Sequence, residues 1–272
     1  MLTTFQREAM PTMSATARGP GWTAVLEVVQ LNLWFQSRQV LHDVNLALPA
    51  RGAMALIGPA GAGKSSLLTC LNRMADDAAG VRRTGQIRFR GRDLDAAGTD
   101  LRHIRQRIGL VSQKATPFPA SIFENVAFGP RIAGERHLGK LGGLVEQALK
   151  QADLWLDCRD RLDDEASTLT PGQQQRLCIA RTLALQPDVV LIDEPSKPLD
   201  AASANRFDDL IDDLKTRYAI AFVPHSLEQA SRVSDTTAFL DGGRLIEVNR
   251  TSALFTAPAH KRTEDYITGR TE

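Results

Sequence analysis

The chain has 272 residues, of which 43% are hydrophobic and 24% are charged, and 33 Lys and Arg residues nearly balance 32 Asp and Glu residues. This composition excludes wholesale disorder and fibrous structure, and the length is enough for a sizeable core. A net charge of +1 gives no electrostatic case for nucleic acid as the main partner. No run of about 20 apolar residues would span a bilayer and no secretory signal pattern is present, so the sequence predicts a cytosolic protein. Cys70, Cys158 and Cys178 lack metal-ligand spacing, which predicts reduced structural thiols.

Strand and helix patterns alternate along most of the chain. Residues 1–22 have no period and predict a loose N-terminal tail before a domain over 23–272. Short apolar runs predict strands at 25–33, 44–48, 54–57, 86–89, 108–111, 189–192, 220–223, 237–240 and 244–248. Helical periods cover 63–74, 121–128, 144–154, 202–215 and 227–233. The stretch from about 115 to 170 is helical and indicates an insertion. The alternation around it predicts an α/β fold with a largely parallel, helix-covered sheet.

A phosphate-binding motif follows the third predicted strand. Residues 58–65 match G-x-x-x-x-G-K-[ST] between a strand and a helix, the context that a P-loop requires. The glycines let successive backbone N–H groups point at one anion, and the helix N-terminus adds partial positive charge. Lys64 should reach the β- and γ-phosphates, and the Ser65 hydroxyl should bind Mg²⁺. The residues that we assign to nucleotide binding in this segment are Gly58, Pro59, Ala60, Gly61, Ala62, Gly63, Lys64, Ser65 and Ser66.

Two acidic residues end the apolar run at 189–192. Asp193 can hold Mg²⁺ directly or through water. Glu194 can polarise a water for attack on the γ-phosphate. Two adjacent acids at a strand end are often only a solvated corner, but together with the P-loop they predict a site for ATP and Mg²⁺.

Residues 169–176, Leu-Thr-Pro-Gly-Gln-Gln-Gln-Arg, resemble the L-S-G-G-Q signature of ATP-binding-cassette (ABC) ATPases. This resemblance implies a P-loop NTPase (RecA-like) core with an antiparallel β subdomain and a helical insertion subdomain. It implies two copies that sandwich two ATP molecules, with Thr170, Gly172 and Gln173 of one copy capping the γ-phosphate held by the other. Further positions match by order and spacing: Phe35 as the adenine-stacking aromatic, Gln113 as the Q-loop ligand of Mg²⁺ or water, Asp200 in the D-loop and His225 as the switch histidine.

Three longer strings, at 113–119, 173–181 and 263–270, resemble the ATP-binding subunit of bacterial phosphate importers. The resemblance implies ATP hydrolysis, with Glu194, His225 and Gln113 as catalytic residues, that powers uptake of inorganic phosphate. The implied partners are a second copy of the chain, two transmembrane permease subunits and, indirectly, a periplasmic solute-binding protein, with no nucleic acid. The region 116–128 would grip a permease helix. The implied location is peripheral, on the cytoplasmic face of the bacterial inner membrane. The string at 263–270 has no physical role assigned from the sequence.

Three prolines depart from the usual family pattern: Pro171, Pro198 and Pro224. Proline removes a backbone donor and restrains the residue before it. Thr170 to Gln173 nevertheless fit a capping box with proline at the first helical position. We expect active but slow hydrolysis. The alternative is an ATP-gated dimerising module with weak or no hydrolysis.

Two further classes account for the sequence less well. A DNA-maintenance cassette ATPase would carry a long coiled-coil or zinc-bearing insertion, and this chain has neither heptads nor Cys pairs. A P-loop kinase would leave residues 169–176 and His225 unexplained.

Overall fold

The computed structural model describes residues 23–114, 116–193 and 201–270. The described strands are β1 (Ala24–Phe35), β2 (Arg38–Pro49), β3 (Gly52–Ile57), β4 (Val81–Phe89), β5 (Arg92–Asp93), β6 (Ile108–Val111), β7 (Val189–Ile192), β8 (Ala219–Phe222), β9 (Thr236–Asp241) and β10 (Arg244–Arg250). The described helices are α1 (Lys64–Leu71), α2 (Leu101–Arg107), α3 (Ile122–Ile132), α4 (Leu138–Gln151), α5 (Trp155–Cys158), α6 (Pro171–Leu183), α7 (Ala201–Leu214), α8 (Leu227–Val233), α9 (Thr251–Thr256) and α10 (Lys261–Ile267). Over these parts of the chain, every helix is too short or too polar to cross a bilayer.

The strands form two sheets. An antiparallel sheet has the order β2-β1-β4-β5, and a larger sheet has the order β10-β9-β3-β8-β7-β6. In the larger sheet β9, β3, β8, β7 and β6 are parallel, and β10 pairs antiparallel with β9. The predicted α/β class and its largely parallel sheet are therefore confirmed.

The central strands are apolar throughout because both faces of the larger sheet are covered. Leu191 belongs to one buried cluster and Ile192 to the other, and Leu56 and Ile57 divide in the same way. A strand buried on both faces has a continuous apolar run rather than an alternating one. This explains why β6 and β7 have the bounds that the sequence predicts.

The chain between β6 and β7 is largely helical, and α3 packs against α4 and α6. Ser121 caps α3 by accepting the backbone N–H of Glu124, and the buried amide of Asn125 donates to three backbone carbonyls. The predicted helical insertion thus has its own apolar and polar contacts. Its boundaries at about 115 and 170 remain a prediction.

Some predicted bounds differ from those observed. The helix predicted over 63–74 ends at Leu71, because Arg73 adopts a left-handed φ of 62° that no α-helix continues. Helix α4 begins six residues before its predicted start, since Gly142 and Gly143 obscure the apolar period. The patterns also missed β5, α2, α5, α9 and α10.

The three cysteines are buried and free. Burial raises the pKa of Cys70 to about 12 and that of Cys158 to about 11. A thiol with a raised pKa is a poor nucleophile near neutral pH. The burial of the three thiols agrees with the predicted structural role.

Candidate active site

Four loops with predicted site residues leave the same edge of the larger sheet. Gly58 follows β3, His225 follows β8, Asp193 follows β7 and Gln113 follows β6, and these four parallel strands are neighbours in that order. The carboxyl ends of parallel strands form one edge, where open α/β sheets bind ligands. Topology therefore brings together residues that are far apart in the chain.

The loop at 58–63 adopts conformations that favour glycine. Gly58, Gly61 and Gly63 have φ of 146°, 77° and 96°. Gly63 is the N-cap of α1, and among the described residues no side chain caps that helix or places an acid in its first turn. The N-terminus of α1 carries partial positive charge, which favours an anion at this position. A Cβ on Gly61 would meet nothing within 4 Å, which leaves the loop open on that side.

An open cleft of about 510 Å³ lies against this loop. Phe35, Arg38 and Val40, from the ends of β1 and β2 that meet at a turn, line one side, and residues 60–66 with Val223 line the rest. The predicted adenine platform and the phosphate loop therefore share one cavity. A larger cleft of about 810 Å³ lies between residues 89–107 and Asp188 and holds none of the predicted site residues.

Lys64 and Ser65 occupy the phosphate end of the cleft. The Lys64 ammonium donates to the carbonyl oxygens of Gly58 at 2.6 Å and Pro59 at 2.8 Å. The Ser65 hydroxyl donates to Oδ1 of Asp193 at 2.9 Å, although 128 residues separate the two. A hydroxyl and a carboxylate oxygen in contact are ligands that Mg²⁺ accepts, so the residues present fit that ion.

Helix α6 begins with the predicted capping box. Oγ1 of Thr170 accepts the N–H of Gln173 at 3.3 Å, and Oε1 of Gln173 accepts the N–H of Thr170 at 3.0 Å. Pro171 occupies the first helical position, where its missing N–H costs no helical hydrogen bond. Gly172 follows it and keeps its N–H. The proline is therefore compatible with the local fold of the signature segment.

His225 lies beyond the end of β8, after the buried Pro224. The N–H of Val223 donates to the carbonyl of Ile192 at 2.9 Å, which extends the pairing of β7 and β8 toward the histidine. Nδ1 of His225 lies 2.8 Å from Oε1 of Gln229 on α8. The histidine is exposed, and its ring is held by a buried amide.

Glu194, Lys197, Pro198 and Asp200 lie outside the described residues. The roles of Glu194 and Asp200 therefore remain predictions.

A contact from the C-terminal helix reaches the phosphate loop, and sequence reasoning missed it. Tyr266 of α10 stacks on Phe239 of β9 with ring centroids 5.0 Å apart. Burial raises the pKa of the Tyr266 phenol, and the nearby backbone of Gly58 opposes that rise. The string at 263–270 thus packs against β9, the strand beside the one that precedes the P-loop. Arg38 and Gln229 were also missed, because neither belongs to a motif.

Comparison with protein families and curated sequences gives the following matches. A family model described as ABC transporter matches residues 41–197. Over 245 residues the chain is 44% identical to "Phosphate import ATP-binding protein PstB 1" of Vibrio parahaemolyticus serotype O3:K6, and the match covers 90% of each chain.

Solved structures share the fold. The cbiO1 protein of Clostridium perfringens, part of the cbiONQ transporter complex, has a TM-score of 0.74 and 24% identity, covering 91% of this chain and 96% of its own. A bacterial Atm1-family ABC exporter with ATP bound has a TM-score of 0.72 and 25% identity, covering 94% of this chain and 45% of its own. The cassette MJ0796, a dimer with ADP and Pi, has a TM-score of 0.71 and 22% identity, covering 83% of this chain and 98% of its own.

Proposed function

The chain belongs to the ABC transporter family, and on that premise we propose that it is the ATP-hydrolysing subunit of an importer of inorganic phosphate. The relative at 44% identity is a phosphate import ATP-binding protein, which supports the solute assignment. The observation that carries the enzymatic part is the hydrogen bond between Ser65 and Asp193, because it joins the P-loop to the acidic strand end. No residue of this chain needs to contact the transported solute.

The phosphate loop would bind the triphosphate through its backbone N–H groups and the Lys64 ammonium. The first N–H groups of α1 and the Lys64 ammonium lie at the same end of the cleft. The Lys64 ammonium would donate hydrogen bonds to phosphate oxygens as well as to the two carbonyl oxygens that it now contacts. Phe35 would stack on the adenine at the other end. These groups hold negative charge without reorganising at the moment of reaction, which favours phosphoryl transfer.

Ser65, Asp193 and Gln113 would hold Mg²⁺. When bound, the ion neutralises charge on the β- and γ-phosphate oxygens. Asp193 is placed for this role because its N–H donates to the carbonyl of Val111 on β6, at 2.9 Å. That hydrogen bond keeps the carboxylate beside the loop that carries Gln113.

Glu194 would orient the attacking water, since it follows Asp193 at the end of β7. His225 would contact the γ-phosphate from the loop after β8. The signature residues Thr170, Gly172 and Gln173 would cap the γ-phosphate bound by a second copy of the chain, with Asp200 near the same interface. ATP would then hold two copies together, and hydrolysis would release them.

The helical region offers an apolar surface to a membrane partner. Phe118 and Phe128 are exposed, and their ring centroids lie 4.8 Å apart. The guanidinium of Arg181 lies 4.3 Å from the Phe118 ring and reinforces the pair. Exposed aromatic residues that follow the Q-loop glutamine closely in the sequence suit the docking of a permease helix. This surface would place the protein on the cytoplasmic face of the inner membrane, bound to two permease subunits that receive phosphate from a periplasmic solute-binding protein.

Reconstitution tests the proposal. The chain, its two permease subunits and the solute-binding protein are assembled in proteoliposomes, with sulfate as the control solute. Wild type should hydrolyse ATP and transport labelled phosphate, whereas Glu194→Gln should bind ATP and do neither. Equal hydrolysis by the two proteins would contradict catalysis by this chain, and transport of sulfate in place of phosphate would contradict the solute.

A further inference from the structure

Three side chains form a connected polar array behind His225. The backbone N–H of His225 donates to Oε1 of Gln229 at 3.1 Å, and Nδ1 of the same histidine lies 2.8 Å from that oxygen. Nε2 of Gln229 donates to Oδ1 of Asp208 at 2.6 Å. The other carboxylate oxygen of Asp208 is paired with the guanidinium of Arg232. The array links helices α7 and α8 to the loop after β8.

The middle of this array is buried. Gln229 is 1% exposed and Asp208 is 3% exposed. A buried amide or carboxylate needs its hydrogen bonds satisfied inside the protein, because water cannot replace them. These groups are therefore held in one arrangement.

Two independent neighbours fix the orientation of the Gln229 amide. A carboxylate paired with a guanidinium can only accept hydrogen bonds, so Asp208 requires the NH₂ group of Gln229 on its side. The backbone N–H of His225 can only donate, so it requires the carbonyl oxygen of Gln229 on the other side. Turning the amide around would set oxygen against oxygen and N–H against N–H. Oε1 of Gln229 therefore faces the histidine.

The orientation of the amide determines the tautomer of the ring. Because Oε1 accepts only, Nδ1 of His225 must carry a proton to make the 2.8 Å contact. A neutral imidazole has one N–H, so Nε2 is then left unprotonated. An unprotonated ring nitrogen accepts a hydrogen bond and cannot donate one to a phosphate oxygen.

We propose that Gln229, oriented by Asp208 and Arg232, is a positioning residue that holds His225 in the Nδ1–H tautomer. In the neutral ring, Nε2 then accepts a hydrogen bond from water or another O–H. The ring donates to a γ-phosphate oxygen only as the imidazolium. The catalytic consequence of this inference rests on the proposed function. The tautomer itself is a property of the chain without nucleotide.

The tautomer can be measured directly on the full-length protein. Two-bond ¹H–¹⁵N correlations of uniformly ¹⁵N-labelled protein distinguish the two neutral forms, and the His225→Ala spectrum assigns the signals. Wild type should show protonated Nδ1 and unprotonated Nε2 for the neutral ring of His225. Finding the proton on Nε2 would overturn the proposal, and the tautomer is read from the wild-type protein, with Gln229, Asp208 and Arg232 unchanged.

Gln229→Leu tests the positioning role. Without the acceptor, the ring should lose its fixed tautomer and populate the Nε2–H form. The matched control is Gln151→Leu, which makes the same chemical change at an amide that accepts from Tyr218 at 3.2 Å outside the cleft. Gln151→Leu should leave the His225 signals unchanged. An unchanged tautomer in Gln229→Leu would overturn the role of Gln229.

Hydrolysis gives a second readout. Gln229→Leu should lower kcat by about 10- to 100-fold, the usual range for loss of a residue that orients a functional ligand, with KM for ATP changed far less. Wild-type kcat in a variant whose tautomer has changed would overturn the link to catalysis. If wild type holds the Nδ1–H form but does not hydrolyse ATP, the proposed function fails while the tautomer assignment stands.

Discussion

Gly58→Ala should destabilise the protein much more than Gly61→Ala, although both residues lie in the same loop. A Cβ on Gly58 would fall inside van der Waals contact with the carbonyl oxygen of Leu240, 3.1 Å from the carbonyl carbon of that residue. The obstacle is backbone of β9, which is paired with β3 and cannot move aside freely. A Cβ on Gly61 would meet nothing within 4 Å.

The magnitudes follow from two contributions. Both glycines have positive φ, so an alanine at either position costs about 1–2 kcal/mol in backbone strain. Gly58→Ala adds overpacking against β9, which costs about 1–3 kcal/mol. The expected loss in the free energy of unfolding is therefore about 2–5 kcal/mol for Gly58→Ala and about 1–2 kcal/mol for Gly61→Ala. The whole free energy of unfolding of a domain is about 5–15 kcal/mol, so the difference between the two variants is a large part of it.

Urea denaturation without nucleotide, followed by circular dichroism, measures these losses. The absence of ATP matters, because Gly61 lies where phosphate would bind and its substitution would alter affinity for another reason. Equal losses in unfolding free energy for the two variants would refute the reasoning, since only Gly58 faces the backbone of β9.

Substitutions at three further positions have expected outcomes. Ser65→Ala should abolish most of the gain in ATP affinity that Mg²⁺ confers, because the hydroxyl would bind the cation, and should leave ATP binding in EDTA nearly unchanged. Nucleotide titrations with and without Mg²⁺ check this. A variant whose affinity responds to Mg²⁺ as the wild type does would contradict it. Thr170→Ala should lose about 1 kcal/mol of unfolding free energy through the lost cap of α6, whereas Thr170→Ser should lose little, and urea midpoints compare the two. Tyr266→Ala should lose unfolding free energy because its stacking on Phe239 is removed, whereas Tyr266→Phe should lose less because the aromatic ring remains. A Tyr266→Phe variant less stable than Tyr266→Ala would show that this account of the contact is wrong.

Much of the site could be predicted from the sequence because its residues sit at strand ends. The P-loop follows an apolar run, and Asp193 follows another, so local pattern alone places them at the carboxyl edge of a sheet. The capping box at Thr170 was also predictable, since it depends on residues three apart.

Contacts between distant segments could not be predicted in this way. Nothing local relates Asp208 on α7 to Gln229 on α8, because their hydrogen bond depends on how two helices pack. The position of Tyr266 beside Gly58 likewise depends on β9 lying next to β3. A hydrophobic period or a motif describes a single helix, strand or loop. These contacts depend instead on how distant elements are arranged in the fold.

The position of β3 in the larger sheet bears on how the protein is made. This strand is synthesised well before its two neighbours, β8 and β9, which lie beyond residue 218. The P-loop that follows it therefore leaves the ribosome long before the strands that flank it, and the nascent chain must carry an unpaired apolar strand in the meantime. The sheet that positions the P-loop is therefore complete only after residues 219–241 have been synthesised.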